Sequence, residues 1–332
     1  MTLTRRHTLA LLSASLFAPL PAAAAVGADM VTRTTRWQQM LTEPQHAAAL
    51  HGFSDRLRLS WTFMHGARVP PGLTLERMSA EQQDAALDVL STGLSAEGLR
   101  TAQNIMLQQD ILRDEWNKGS ADRNSQRFGL MIFGTPGQGA WGWRFEGHHL
   151  SISYTLVGEE VIAVTPFSFS SEPNTVPSGP HKDLVVTPYE AQGRAVFAEL
   201  GDAGRKAAVL QARAPGNIIA NAGRLERVGA PAGLAVGDMP RARAEQVGEM
   251  IETVALAPLP PALAEARRLR LSQFDPASTR FAWAGDPAQG PVYFRLHGPQ
   301  MLFEFATLRN QPEHHHAILH DPDQNFGAHI LS

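Results

Sequence analysis

Five histidines fall in two tight groups, His148-His149 and His314-His315-His316, in a chain that contains no cysteine. Thiolate ligation is therefore excluded, and a metal site must be built from imidazole, carboxylate or carbonyl oxygen. His314 and His316 stand two apart; in an extended segment they point to one face, about 6.5 Å apart along the strand. That spacing lets two imidazoles chelate one ion. His149 from the other group would make a third ligand and leave a coordination position open, as in catalytic rather than structural zinc. Glu146, Glu304 or Asp321 could complete the set or orient the rings. Two histidines with one carboxylate would suit non-haem iron instead, and copper is also compatible with imidazole. The expected ligands are thus His148, His149, His314, His316 and Asp321. The competing reading gives His148-His149 ordinary hydrogen bonds at a hairpin turn and makes the triplet a solvated loop.

Arg144 and Arg295 occupy equivalent places in two similar stretches and could clamp an anion or carboxylate, one from each half. With Glu146 as acid or base they are the candidate catalytic residues. The alternative is a structural ion pair with Glu146 or Glu304. Trp141, Trp143 and Trp283 could line a groove for a sugar or aromatic ligand, or fill a core beneath a sheet. No Gly-x-Ser-x-Gly elbow, phosphate loop or dinucleotide fingerprint is present.

The elements that must position these residues come as a repeat. At an offset of 151, Gly134, Pro136, Gln138, Gly139, Arg144 and Gly147 recur as Gly285, Pro287, Gln289, Gly290, Arg295 and Gly298. Leu150, Ile152 and Tyr154 fall on Met301, Phe303 and Phe305. Each copy reads as a β-hairpin, with Glu146-Gly147 and His297-Gly298 expected at the turns and both glycines at positive φ. Period two puts Leu150, Ile152, Tyr154 and Leu156 on one face, and His149, Ser151, Ser153 and Thr155 on the other.

Around the copies, a helix is expected over 32–50, broken near Pro44. Alternation of Leu57, Leu59 and Trp61 predicts a strand over 56–62. Ser79 caps a helix ending at Gly93, and Ser95 begins another. Strands flank the first hairpin over 128–133 and 161–169. Thr187-Pro188-Tyr189-Glu190 reads as a capping box, and 214–240 as a mobile loop without periodicity. Helices follow over 241–257 and 261–271. Helices that separate two strand clusters imply an α+β fold, not βαβ: a single domain over 26–332 with related antiparallel hairpin or meander units near 128–169 and 281–320.

Residues 1–25 read as an export signal. Arg5-Arg6 precedes an apolar run over 9–18, too short to span a membrane, and Pro21 to Ala25 offers an Ala-x-Ala cleavage site. The arginine pair resembles a twin-arginine signal, with Thr8 where that pattern prefers Phe, so Sec export is the alternative. The expected location is periplasmic or secreted. A net charge of −3 over 332 residues gives no basic footprint for nucleic acid.

The stretch Trp141-Gly-Trp-Arg-Phe-Glu-Gly-His-His-Leu-Ser151 resembles the bacterial family known as domain of unknown function 3500. So do Phe281 to Gly285, Tyr293 to Pro299, the His314–His316 triplet and Asp321 to Gly327. The family's tail reads Asn-His-x-His with an aspartate soon after; here Glu313 replaces the Asn, while His314, His316 and Asp321 match. The resemblance implies a fold neighbourhood and no activity. The residues point to a metal-binding protein acting on a small molecule, or to a non-catalytic binder of a metal or small ligand.

Overall fold

Leu319 and Phe167 pair across the middle of one sheet and join its two strand groups. This is seen in a computed structural model that describes residues 21–66, 72–115, 123–272 and 276–331. The first group begins with helices α1 (Pro21–Gln39) and α2 (Glu43–Ala49), then strands β1 (Leu50–His51) and β2 (Leu73–Thr74). Helices α3 (Ala80–Thr92) and α4 (Ala96–Asp114) lead to β3 (Gly129–Thr135), β4 (Gln138–Gly147), β5 (Leu150–Val157), β6 (Glu160–Ala163) and β7 (Phe167–Phe169). The second group runs through α5 (Tyr189–Ala198), α6 (Asp202–Ala208), β8 (Val209–Gln211), β9 (Leu234–Ala235), α7 (Arg241–Ile251) and α8 (Pro261–Leu271). It closes with β10 (Arg280–Ala284), β11 (Tyr293–Gly298), β12 (Met301–Leu308), β13 (Gln311–His320) and α9 (Ala328–Leu331).

The architecture is α+β. β3, β4 and β5 form an antiparallel meander, as do β10 to β13. At the outer end of each, a short strand lies parallel: β1 on β3, and β8 on β10. β2 and β9 pair antiparallel with those same two strands. Each meander thus receives the same set of partners from the same places in the chain.

Period two sorts the side chains as the alternation predicts. Trp143 and Phe145 pair with Tyr154 and Ile152 on the face that packs against the helices. Trp141, Trp143 and Trp283 are buried there, so they fill core and line no groove. Burial of a side chain that size contributes on the order of 4–6 kcal/mol in transfer terms. The other face carries Arg144 and Glu146 opposite Ser153 and Ser151. It is covered by irregular segments, which bring Trp61, Phe63, Ile218 and Ala220 onto it.

The helix ends follow local chemistry. Ser79 Oγ accepts the Gln82 N–H and Gln82 Oε1 accepts the Ser79 N–H, so α3 has its capping box and stops at Gly93. Three expectations are corrected. Residues 56–62 are not a strand: Asp55 accepts the Leu57 N–H at 2.8 Å and bends Arg56–Leu59 into a 3-10 turn. Thr187 caps nothing; its hydroxyl bonds Asn174 at 3.0 Å, and α5 starts after Pro188. Gly147 and Gly298 are not at positive φ, because both sit inside paired strands, opposite Leu150 and Met301. They are glycines for space: a Cβ on Gly147 would meet Phe128 at 2.4 Å, and one on Gly298 would meet Thr279 at 2.6 Å. The segment over 214–240 contains 3-10 turns and β9. Residues 1–20 of the expected export signal lie outside the described residues, and 21–25 begin α1. Among the described residues, no helix is long and apolar enough to cross a membrane.

Candidate metal centre

The β4–β5 turn is His148-His149 itself, and it points at the start of β13 across the seam between the two strand groups. His149 takes φ +69°, a left-handed conformation that a non-glycine residue adopts at a cost of about 1–3 kcal/mol. Its backbone is held on both sides: its N–H donates to Phe63 O at 2.7 Å, and its carbonyl accepts the Ser170 N–H at 2.9 Å. The ring is thereby fixed where the strand register delivers His314 and His316.

Three imidazole nitrogens converge. His149 Nε2 lies 2.9 Å from His314 Nε2, which lies 3.1 Å from His316 Nε2. The edge of a tetrahedron with zinc–nitrogen bonds of 2.0–2.1 Å is about 3.3 Å, so these separations are within a few tenths of an ångström of a ligand set. The far nitrogens settle the tautomers. His314 Nδ1 meets Gln311 Oε1 at 2.7 Å, and His316 Nδ1 meets Asn217 Oδ1 at 2.7 Å. An amide oxygen only accepts, so each Nδ1 carries the hydrogen and each Nε2 presents its lone pair. Two filled lone pairs facing at that distance repel unless a cation lies between them. A proton is a poor candidate for that cation at neutral pH. Burial, then His314 and His315, pushes His316 down to about 3. Burial and the neighbouring His148 likewise hold His149 well below the usual imidazole range.

His148 and Glu172 stand beside this triad. The His148 ring lies against His149, tilted by 34° with centroids 3.7 Å apart, and its Nδ1 meets Gln109 Oε1 of α4 at 2.8 Å. His148, His149, Glu172 and His314 each bring a ligand atom within 4.8 Å of the others. Glu172 lies 3.5 Å from His314 Nδ1 and 3.3 Å from Arg123. His65, exposed, approaches His148 with ring centroids 5.2 Å apart and marks the solvent side.

The other sequence candidates lie elsewhere. Asp321 is buried and ion-paired with Arg270 at 3.1 Å, its second oxygen receiving the Asp323 and Gln324 N–H groups, so it is not in the histidine cluster. Arg144 pairs with Glu146 at 3.0 Å and donates to the carbonyls of Leu57 and Arg58, while Glu146 accepts the Thr62 N–H. Arg295 donates to Val228 O, and Glu304 accepts from Ile219 N, Ala220 N and Tyr293 OH. Both arginines therefore hold covering segments onto the sheet. His315 faces the opposite side and meets Glu190 at 2.9 Å. Glu172, Arg123, Gln109, Asn217 and Gln311 escaped the sequence reading. Glu172 follows Ser170-Ser171 with no periodicity to mark it, and only the β7–β13 pairing brings it to His314.

A family model described as protein of unknown function DUF3500 matches residues 23–328, nearly the whole chain, so the chain belongs to that family. Comparison with curated proteins and with solved structures finds no match in either set.

Proposed function

We propose that this member of the family is an exported, metal-dependent enzyme acting on a small molecule. His149, His314 and His316 would be the ligands of a zinc, iron or copper ion. The observation that carries this reading is the approach of His149 Nε2 and His316 Nε2 to His314 Nε2, with the lone pairs of His314 and His316 assigned by amide partners. Three neutral imidazoles leave a coordination position for water or substrate, and a metal there lowers the pKa of bound water toward 7. Glu172 stands close enough to exchange a proton with such a water.

The second reading is a non-catalytic binder. Glu172 and His148 favour it, since either could fill the remaining position and saturate the ion. Elemental analysis of chelator-stripped, reloaded protein tests both. About one ion or more per chain in the wild type, and one fewer in His149→Asn and in His316→Ala, is expected. Wild-type protein that takes up no ion would refute the metal reading. Solvent-exchange measurements on the loaded metal then separate an open position from a saturated one.

Export is proposed on residues 1–25: Arg5→Lys with Arg6→Lys should retain the protein in the cytoplasm if the twin-arginine route is used. Unchanged export would favour Sec. We also read the matched partners of the two meanders as an internal duplication in which one turn became His148-His149 and the other Pro299-Gln300.

A further inference from the structure

We propose that the cluster holds two ions, an inner one on His149, His314 and His316 and an outer one on His65, His148 and Glu172. This inference rests on the metal reading above. Its starting point is an excess of donors. A three-histidine ion with one open position needs at most one further ligand, yet both His148 and Glu172 bring a ligand atom within 4.8 Å of those of His149 and His314. Five histidines and Glu172 adjoin one another in turn here: His65 meets His148 with ring centroids 5.2 Å apart, His148 meets His149 at 3.7 Å, and Glu172 brings a ligand atom within 4.8 Å of those of His148, His149 and His314. Divided three and three, they make a three-histidine set and a two-histidine, one-carboxylate set; each is an open site in its own right.

One buried atom points to an acceptor short of donors. Glu172 Oε2 has no hydrogen-bond donor, although the residue is only 6% exposed. A buried carboxylate oxygen left without a donor is costly. What stands near it is a positive charge: the Arg123 guanidinium lies 3.3 Å from Glu172 Oε2 and 3.3 Å from His148 Nδ1. One cation already spans the two residues that the inner ion leaves over. Arg123 balances Glu172 in the absence of the outer ion and competes with it. The outer ion should therefore bind more weakly than the inner one.

Titration of chelator-stripped wild-type protein with zinc alone, followed by calorimetry and elemental analysis, is the test. Two ions per chain in two affinity steps are expected. Glu172→Gln and the exposed His65→Gln should each keep the tight step and lose the weak one. Arg123→Gln should tighten the weak step roughly tenfold or more, since a like charge is removed at ion-pair distance, and leave the tight step unchanged. Circular dichroism on each variant confirms that it is folded, and His65→Gln keeps the test valid if Glu172→Gln is not. A wild type that binds one ion overturns the outer site and leaves the inner one standing. Two ions unaffected by either His65→Gln or Glu172→Gln would also overturn it. A wild type that binds none removes the metal reading itself.

Discussion

His149 is held in a conformation that asparagine or glycine would adopt more cheaply, which is the mark of a side chain kept for what it does. His149→Asn should therefore stay folded, with the lost ring packing partly offset by relief at φ, yet lose the inner ion. Thermal unfolding and metal content, measured on the same sample, check both halves of that statement. Protonation offers a second residue-scale test. An ordinary imidazole site releases its ion as pH falls through about 6.5. Burial lowers His316 to about 3 and holds His149 well below the usual range, so these two ligands resist proton competition well below that value. Metal content should be the same at pH 5.5 as at pH 7.5, and on further acidification loss of metal should coincide with loss of the circular dichroism signal. Glu146 behaves in the opposite sense. Burial raises its carboxyl from 4.5 to about 7, so the folded state binds the proton more tightly than the unfolded chain across that window. Its contribution to stability is complete below about 4.5 and is withdrawn as pH rises toward 7. Glu146→Gln removes that slope; denaturant titrations of both proteins across the window would reveal a parallel pair of curves if the assignment is wrong.

At the scale of elements, the hairpin turn carries the main lesson. A glycine before an apolar strand reads as the positive-φ residue of a turn, yet Gly147 is a strand residue pressed against Phe128. Gly147→Ala should cost about 1–3 kcal/mol by overpacking. Gly158→Ala, where a Cβ meets nothing within 4 Å but φ is +58°, should cost only the backbone strain of about 1–2 kcal/mol. Chemical denaturation compares the two. Signals carried by local pattern were readable, the Ser79–Gly93 helix and the α+β class among them, and the resemblance of the two hairpins brought His149 to His314 and His316. Signals that depend on distant pairing were not. Nothing near Glu172 in the chain announces His314; the β7–β13 seam does that. Alternation over residues 56–62 misled because it cannot register the Asp55 side chain, which takes the Leu57 N–H and turns the backbone. The arginines of the two hairpins were legible as equivalent, but their partners, the carbonyls of Leu57, Arg58 and Val228, are contributed by irregular segments.

Across the whole molecule, the seam at Leu319 and Phe167 lets one strand group supply the turn and the other supply the strand of a single site. The corresponding turn of the second group does a different job. There Gln300 bonds Arg270, donating to its carbonyl at 2.9 Å and accepting from its guanidinium at 3.0 Å, beside the buried Arg270–Asp321 pair. That corner is structural in this account, so Asp321→Asn should destabilise the fold by about 3–5 kcal/mol, leaving Arg267 and Arg270 uncompensated, while folded protein keeps its full metal content. Loss of metal without loss of stability would return Asp321 to the ligand set. The central claim, that His149, His314 and His316 hold an ion through Nε2, is tested most directly by X-ray absorption at the metal edge on protein loaded with a single equivalent of zinc. About three imidazole nitrogens at about 2.0–2.1 Å are expected, falling by one in His316→Ala. A spectrum with oxygen scatterers alone, or one unchanged by that substitution, would contradict it.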